Sequence, residues 1–273
     1  MVNEVRRTQP ITKYEYGKLF EVEDTIATEY PLTVFVNGEE FATMVCTPTH
    51  LKELVIGFLA SDGIIRFPDD IDSLSIDDEK GFAYVQLKNK QISSQSFVTK
   101  RFIGSCCGKS RQFYFQHDAK TAKTIRSRNT LTVQQSIHLM KTMQEDSSDF
   151  QLTGGLHNTA LCTKDKVIVS RSDIGRHNAL DKIYGYCMEN NISLGDKVLV
   201  FSGRISSEVL LKVSKIGVGI ILSKSAPTTL AIELAEDLGI TAVGFVRGNR
   251  LNVYSHPERI INDLTSRKNS YTV

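Results

Sequence analysis

The chain lacks several features that would settle its class at once. No run approaches the roughly 18 apolar residues that a membrane-spanning helix needs, and the N-terminus passes from Met1 through Arg6-Arg7 into Thr8-Gln9-Pro10 without an apolar signal region. Charge of one sign is not in excess either. With 33 Lys+Arg against 31 Asp+Glu, the formal charge is only +2, which argues against coating of nucleic acid or adsorption to a membrane. Five cysteines in 273 residues are too few and too scattered for a disulfide framework, so a cytoplasmic, thiol-reducing setting is expected. There is no Walker loop and no dinucleotide GxGxxG, which excludes the ordinary ATP and NAD sites.

What remains is a soluble α/β composition in two halves. From Leu32 the residues alternate as a strand, turn at Asn37-Gly38 and return through Phe41, Met44 and Val45, the pattern of a hairpin. Thr47-Pro48 is expected to open a helix with Thr47 as its cap; Leu51, Leu54, Val55, Phe58 and Leu59 form its apolar face, and Gly63 ends it. Leu74–Ile76 and Phe82–Leu87 read as further strands. Residues 1–100 are therefore expected to be a β-rich scaffold, 101–128 a mobile loop and linker, and 129–273 a ligand-binding unit.

In the last segment Thr132-Val133-Gln134-Gln135 predicts a capped helix. Thr159–Cys162 and Val167–Val169 predict a hairpin. Strands at Val198–Phe201, Val218–Leu222 and Ile240–Val246 then run in turn into Ser202–Ser207, Ser223–Thr229 and Arg247–Arg250, the signature of a largely parallel sheet with helices on its faces. Strand-to-helix loops of such a sheet emerge at one edge, where open α/β sheets bind ligands. Collected there are Arg176, His177, Arg204, Ser206, Ser207, Lys224, Ser225, Thr228, Thr229, Arg247 and Arg250, a set of hydroxyls and cations with almost no acid. That chemistry suits a phosphate or pyrophosphate. Each hydroxyl taken singly is equally a helix cap, and His177 is either a base or ligand or a structural hydrogen-bonder.

The other chemical feature is the loop Gly104-Ser105-Cys106-Cys107-Gly108-Lys109-Ser110-Arg111. Small neighbours leave a sulfur accessible and the nearby cations favour thiolate, the nucleophilic form; the alternative is a pair of small buried hydrophobes. Cys46, Cys162 and Cys187 fall in apolar segments and read as core residues.

The order of elements is similar to the cytidine deaminase fold, but the zinc ligands of that chemistry are missing: the corresponding helix starts read Arg176-His177-Asn178-Ala179 and Gly203-Arg204-Ile205-Ser206-Ser207-Glu208, so no zinc is expected. Thr153-Gly154-Gly155-Leu156-His157, Asp173 to Lys182, Ser202 to Glu208, Ser225-Ala226-Pro227-Thr228 and Gly244-Phe245-Val246-Arg247, with Gly57-Phe58-Leu59 and Gly63-Ile64 in the first half, resemble the formate dehydrogenase accessory sulfurtransferases, the FdhD family. The resemblance implies a cytoplasmic homodimer with a deaminase-like three-layer α/β/α C-terminal domain. It also implies transfer of sulfur from a cysteine desulfurase to the molybdenum cofactor, bis-molybdopterin guanine dinucleotide, on behalf of formate dehydrogenase. Carried onto this chain, it assigns the sulfur to Cys107, with Cys106 as fallback. It assigns cofactor binding to Phe245, Val246, Arg247, Gly248, Asn249 and Arg250, to which the chemistry of the sheet edge adds Arg176, His177, Arg204, Ser206, Ser207, Ser225 and Thr228. The family's Cys-Gly-x-Cys-Gly is broken here: Gly104 stands where the first cysteine belongs, and adjacent cysteines close only a strained ring. A single persulfide carrier is expected, with non-covalent delivery of the cofactor as the alternative.

Overall fold

The structure, a computed structural model, describes residues 4–89, 101–103, 122–146 and 153–262. Two alternating runs of apolar residues meet at Asn37-Gly38, both with positive φ (52° and 87°), and so form the hairpin of β3 (Tyr30–Val36) and β4 (Glu39–Cys46). This hairpin is the centre of a five-stranded sheet ordered β5-β6-β3-β4-β7, completed by β5 (Ile71–Asp77), β6 (Phe82–Leu87) and β7 (Arg101–Ile103). One face of the sheet is buried beneath α1 (Leu51–Ser61), whose Leu54, Val55 and Leu59 have no exposed surface. At roughly 2 kcal/mol per buried aliphatic side chain, that face is what holds the helix on the sheet.

Two details depart from the expected pattern. Helix α1 begins at Leu51 behind His50, which adopts the left-handed conformation (φ 52°), and Thr47 does not cap it. Thr47 is fully buried and turned toward the second half of the chain. Ahead of the sheet stands a ribbon that the alternation did not reveal, β1 (Arg6–Glu15) paired antiparallel with β2 (Lys18–Ala27) through a turn at Tyr16-Gly17.

The second half forms a six-stranded mixed sheet ordered β10-β9-β11-β12-β13-β14. Its members are β9 (His157–Cys162), β10 (Val167–Asp173), β11 (Val198–Phe201), β12 (Ile220–Ser223), β13 (Thr241–Arg247) and β14 (Arg250–Val253). Strands β11, β12 and β13 are parallel; β9 and β14 run antiparallel to their neighbours. Successive residues of β11 face opposite cores. Val198 and Val200 pack with α2 (Val133–Glu145), whereas Leu199 and Phe201 pack with α3 (Arg176–Glu189), α4 (Ser207–Ile216) and α5 (Thr229–Leu238). The result is an α/β/α sandwich whose strands are apolar on both faces. The expected capping box is present: Thr132 Oγ1 accepts from Gln135 N at 3.1 Å and Gln135 Oε1 accepts from Thr132 N at 2.9 Å. A short parallel pair, β8 (Leu131–Thr132) with β15 (Ile260–Ile261), closes the unit beside it.

The sheets are joined by α1 lying on α3. A Cβ on Gly57 would sit 1.8 Å from the Asp181 carbonyl oxygen, and one on Gly185 would sit 1.9 Å from that of Glu53, so the backbones touch where only glycine fits. Beside this crossing, the fully buried Lys182 pairs with Asp173 at 2.7 Å and donates to the Thr47 and Ser172 carbonyls. Asp173 further accepts from Thr47 N, Gly175 N and Asn178 Nδ2, at 3.0, 2.8 and 2.9 Å. Every lone pair of this buried carboxylate is thus answered, as burial of a charge requires.

Candidate functional site

Strand direction decides which loops share an edge. The C-terminal ends of β11, β12 and β13 meet there because the three strands are parallel. Antiparallel β9 brings its first residue, His157, to the same edge, and β10 brings its last, Asp173, paired directly with His157. The edge is therefore built from the loops Ser202–Ser206, Lys224–Thr228 and Arg247–Arg250 together with the start of α3.

The first two loops are laced to each other. Ile205 N donates to Ala226 O, Thr228 N to Ile205 O, Ser225 Oγ to Ser202 O and Ser223 Oγ to Gly203 O (3.1, 3.0, 3.3 and 2.6 Å). Ser206 and Thr228 are the N-caps of α4 and α5, each hydroxyl accepting at 3.4 Å from the amide three residues on. Those two hydroxyls thus hold helix ends, while Arg204 stands exposed and Ser207 half-buried in the first turn of α4.

The third loop is a hairpin turn rather than a helix start. Beyond Gly244↔Asn252 the register shifts, and Arg247↔Arg250 resumes across Gly248-Asn249. The bulge puts Phe245 at φ 51°, with its amide donating to Ser225 O at 3.2 Å. Such a conformation is uncommon for a bulky residue and marks functional segments more often than others. Gly244 lets the loops close up: a Cβ there would meet Ser225 O at 2.8 Å. Arg247 lies 5.4 Å over the Phe245 ring and donates from Nε to Lys224 O at 2.8 Å. Val246 points the other way, into the core beneath α2, with 1% of its surface exposed, so among the residues Phe245–Arg250 its side chain faces away from the rim.

At the other end of the edge, Arg176, His177 and His157 gather at the start of α3. Burial lowers the His157 pKa, with help from Arg176 and against Asp173. Burial also drives His177 down to about 3, reinforced by Lys212, Arg176 and His157. Both imidazoles are therefore neutral at pH 7, and the 3.4 Å contact of His177 Nε2 with Glu208 Oε2 is not an ion pair there. His177 and Glu208 open onto a small cavity that also touches Ser61, Asp62, Leu211, Lys212 and Lys215. Below it, Asp181 accepts from Ser61 Oγ at 2.6 Å and from Lys212 Nζ at 2.5 Å.

The structure thus brings Arg176, His177, Arg204, Ser206, Ser207, Ser225, Thr228, Phe245, Arg247, Gly248, Asn249 and Arg250 to one edge. The exposed cations among them (Arg204, Arg247 and Arg250) face solvent where an anion could be held. His157 and Glu208 belong to the same edge but escaped the sequence reading. Only the strand order moves His157 there, and only the packing of α3 on α4 faces Glu208 toward His177. Cys106 and Cys107 lie outside the described residues, as do Lys109 and Arg111. Cys46, Cys162 and Cys187 are buried, and burial raises all three thiols, Cys162 and Cys187 to about 12. None of these three is a nucleophile at neutral pH. Among the described residues no helix is long and apolar enough to cross a membrane, and no three His, Cys, Asp or Glu side chains cluster as a metal site.

Comparison with known proteins supplies the rest. The family model described as FdhD/NarQ matches residues 27–261. A sulfur carrier protein FdhD of Geobacillus kaustophilus is 61% identical over 255 residues, 93% of this chain and 97% of that protein. One of Bacillus subtilis is 57% identical over 260 residues, 95% of this chain and 99% of that protein. A crystal structure described as that of a formate dehydrogenase accessory protein from Desulfotalea psychrophila superposes with a TM-score of 0.76, covering 94% of this chain and all of that one at 24% identity.

Proposed function

The chain belongs to the FdhD/NarQ family, and on that premise we propose that it is a cytoplasmic, homodimeric sulfur carrier in the maturation of formate dehydrogenase. The carrier is Cys107. As thiolate it attacks the terminal sulfur of a cysteine desulfurase persulfide; the donor S–S bond breaks, the donor cysteine leaves as thiolate, and Cys107-S-SH results. The acceptor is the molybdenum of bis-molybdopterin guanine dinucleotide, held as substrate at the sheet edge. Arg204, Arg247 and Arg250 take its phosphates, and the Phe245 bulge gives its bases a surface to lie on.

One observation carries the reading: relatives about 60% identical over nearly the whole chain are named sulfur carriers. A second supports the choice of thiol. Cys46, Cys162 and Cys187 are buried and held protonated, which leaves the Cys106-Cys107 pair to do sulfur chemistry. Incubation with a cysteine desulfurase and sulfur-labelled cysteine is expected to place on the protein a label that reductant releases. Cys107→Ala should abolish it. If a protein lacking both Cys106 and Cys107 still restores formate dehydrogenase activity to cells without the wild type, while an Arg247→Ala protein does not, the cofactor is delivered without covalent sulfur chemistry and the carrier reading is wrong.

A further inference from the structure

The ribbon β1–β2 has no evident role in the site. Its strands, ten residues each, extend roughly 33 Å, and most residues of both are exposed while none is fully buried. Large apolar side chains are exposed on the strands (Leu19 70%, Tyr14 68%, Ile26 42% and Phe20 40%) and at the turn between them (Tyr16 95%). An isolated two-stranded ribbon is marginal in water and needs a surface to lie on. Among the described residues the ribbon is held at its base, where Thr28 N donates to Val5 O at 2.9 Å and Ala27 approaches Gly155. From there only Thr28-Glu29 separates the ribbon from β3, so the arm is anchored directly to a core strand.

We infer that this arm is the clasp of a homodimer, each copy laying its ribbon along the other. Charge points to a second copy over a foreign partner. Arg6, Arg7, Lys13 and Lys18 are balanced on the ribbon by Glu15, Glu21, Glu23 and Asp24, so no excess of either sign invites an acidic or basic stranger. The charges are also sorted: β1 is net basic and β2 net acidic, and two arms crossed about a two-fold axis set β1 of one beside β2 of the other. Area agrees. A ribbon about 33 Å by 10 Å buries roughly 330 Å² of its own surface on one face. Counting the surface it covers and both arms gives about 1,300 Å², within the span of stable specific interfaces. The homodimer is part of the proposed function; the inference assigns it to an element of the fold, and its readout is oligomeric state, independent of sulfur transfer.

The test is sedimentation velocity of the full chain from 1 to 100 µM beside a Tyr14→Lys/Leu19→Lys variant, with a second variant, Phe20→Lys/Ile26→Lys, on the opposite ribbon face. Far-UV circular dichroism confirms that each is folded. The wild type is expected to be a dimer, and at least one variant to dissociate with a Kd raised tenfold or more. Two outcomes overturn the inference: a wild type that stays monomeric at 100 µM, or variants that dimerise as tightly as wild type. Binding of purified cysteine desulfurase to a monomeric wild type, lost in the variants, would assign the arm to that protein instead.

Discussion

Lys182→Met removes a charge that has no surface exposure and leaves Asp173, equally buried, with its charge unpaired. Three neutral donors would remain on the carboxylate: Thr47 N, Gly175 N and Asn178 Nδ2. They soften the loss without cancelling it, because the ammonium at 2.7 Å is the only cation paired with Asp173 among the described residues. The Thr47 and Ser172 carbonyls lose their bonds to it as well. Breaking one partner out of a buried pair costs about 3–5 kcal/mol. For a chain of this size that corresponds to a fall in Tm of roughly 6–20 °C, read by differential scanning calorimetry and by urea titration. The charge-free double variant Asp173→Asn/Lys182→Met should regain part of the loss, with a coupling of about 1.5–3 kcal/mol in the cycle of four proteins. If Lys182→Met melts within a degree or two of wild type, or if the two single losses simply add, then the pair does not hold the halves together.

Two further expectations follow from neighbouring contacts. Gly57→Ala forces a Cβ to within 1.8 Å of the Asp181 carbonyl, a backbone atom that cannot swing away, so α1 and α3 must part at a cost of about 3 kcal/mol or more; Gly195→Ala, with open space around it, is the near-neutral control in the same urea titration. His177 gives a pH signature. Its folded pKa, about 3, lies below the ordinary 6.5, so the unfolded chain binds the extra proton between those values. Its contribution to stability is complete above pH 6.5 and is lost as pH falls toward 3. Unfolding free energies at pH 7 and pH 4.5 should differ by about 2–3 kcal/mol less in His177→Gln than in wild type, and superimposable profiles would refute this.

Several features were legible in the residues alone because they depend on neighbours a few positions apart. The Asn37-Gly38 turn, the Thr132–Gln135 capping box and the apolar face of α1 are of this kind. So are the doubly apolar strands β11 to β13, which announce a sheet covered on both faces. The β1–β2 ribbon was not legible, since its strands mix charged and apolar residues on both faces and lack the clean alternation that marks a half-buried strand. Thr47 was misassigned as a cap for a related reason. Its position fits a local motif, but its bonds go to Asp173, Ile174 and Lys182, more than a hundred residues away.

The same division runs through the site. The sequence by itself determined that strand-to-helix loops rich in hydroxyls and cations gather at one sheet edge, because parallel strands must present their C-terminal ends together. It also set apart Cys106-Cys107 from three cysteines in apolar segments. Only the tertiary structure decided which hydroxyls are consumed as caps, that Val246 turns inward while Phe245 is held at positive φ, and that His157 and Glu208 join the edge. The physical reason is range. Propensity and periodicity act over a turn or two of chain, whereas strand order and the touching of Gly57 with Asp181 depend on segments that meet only when the core closes.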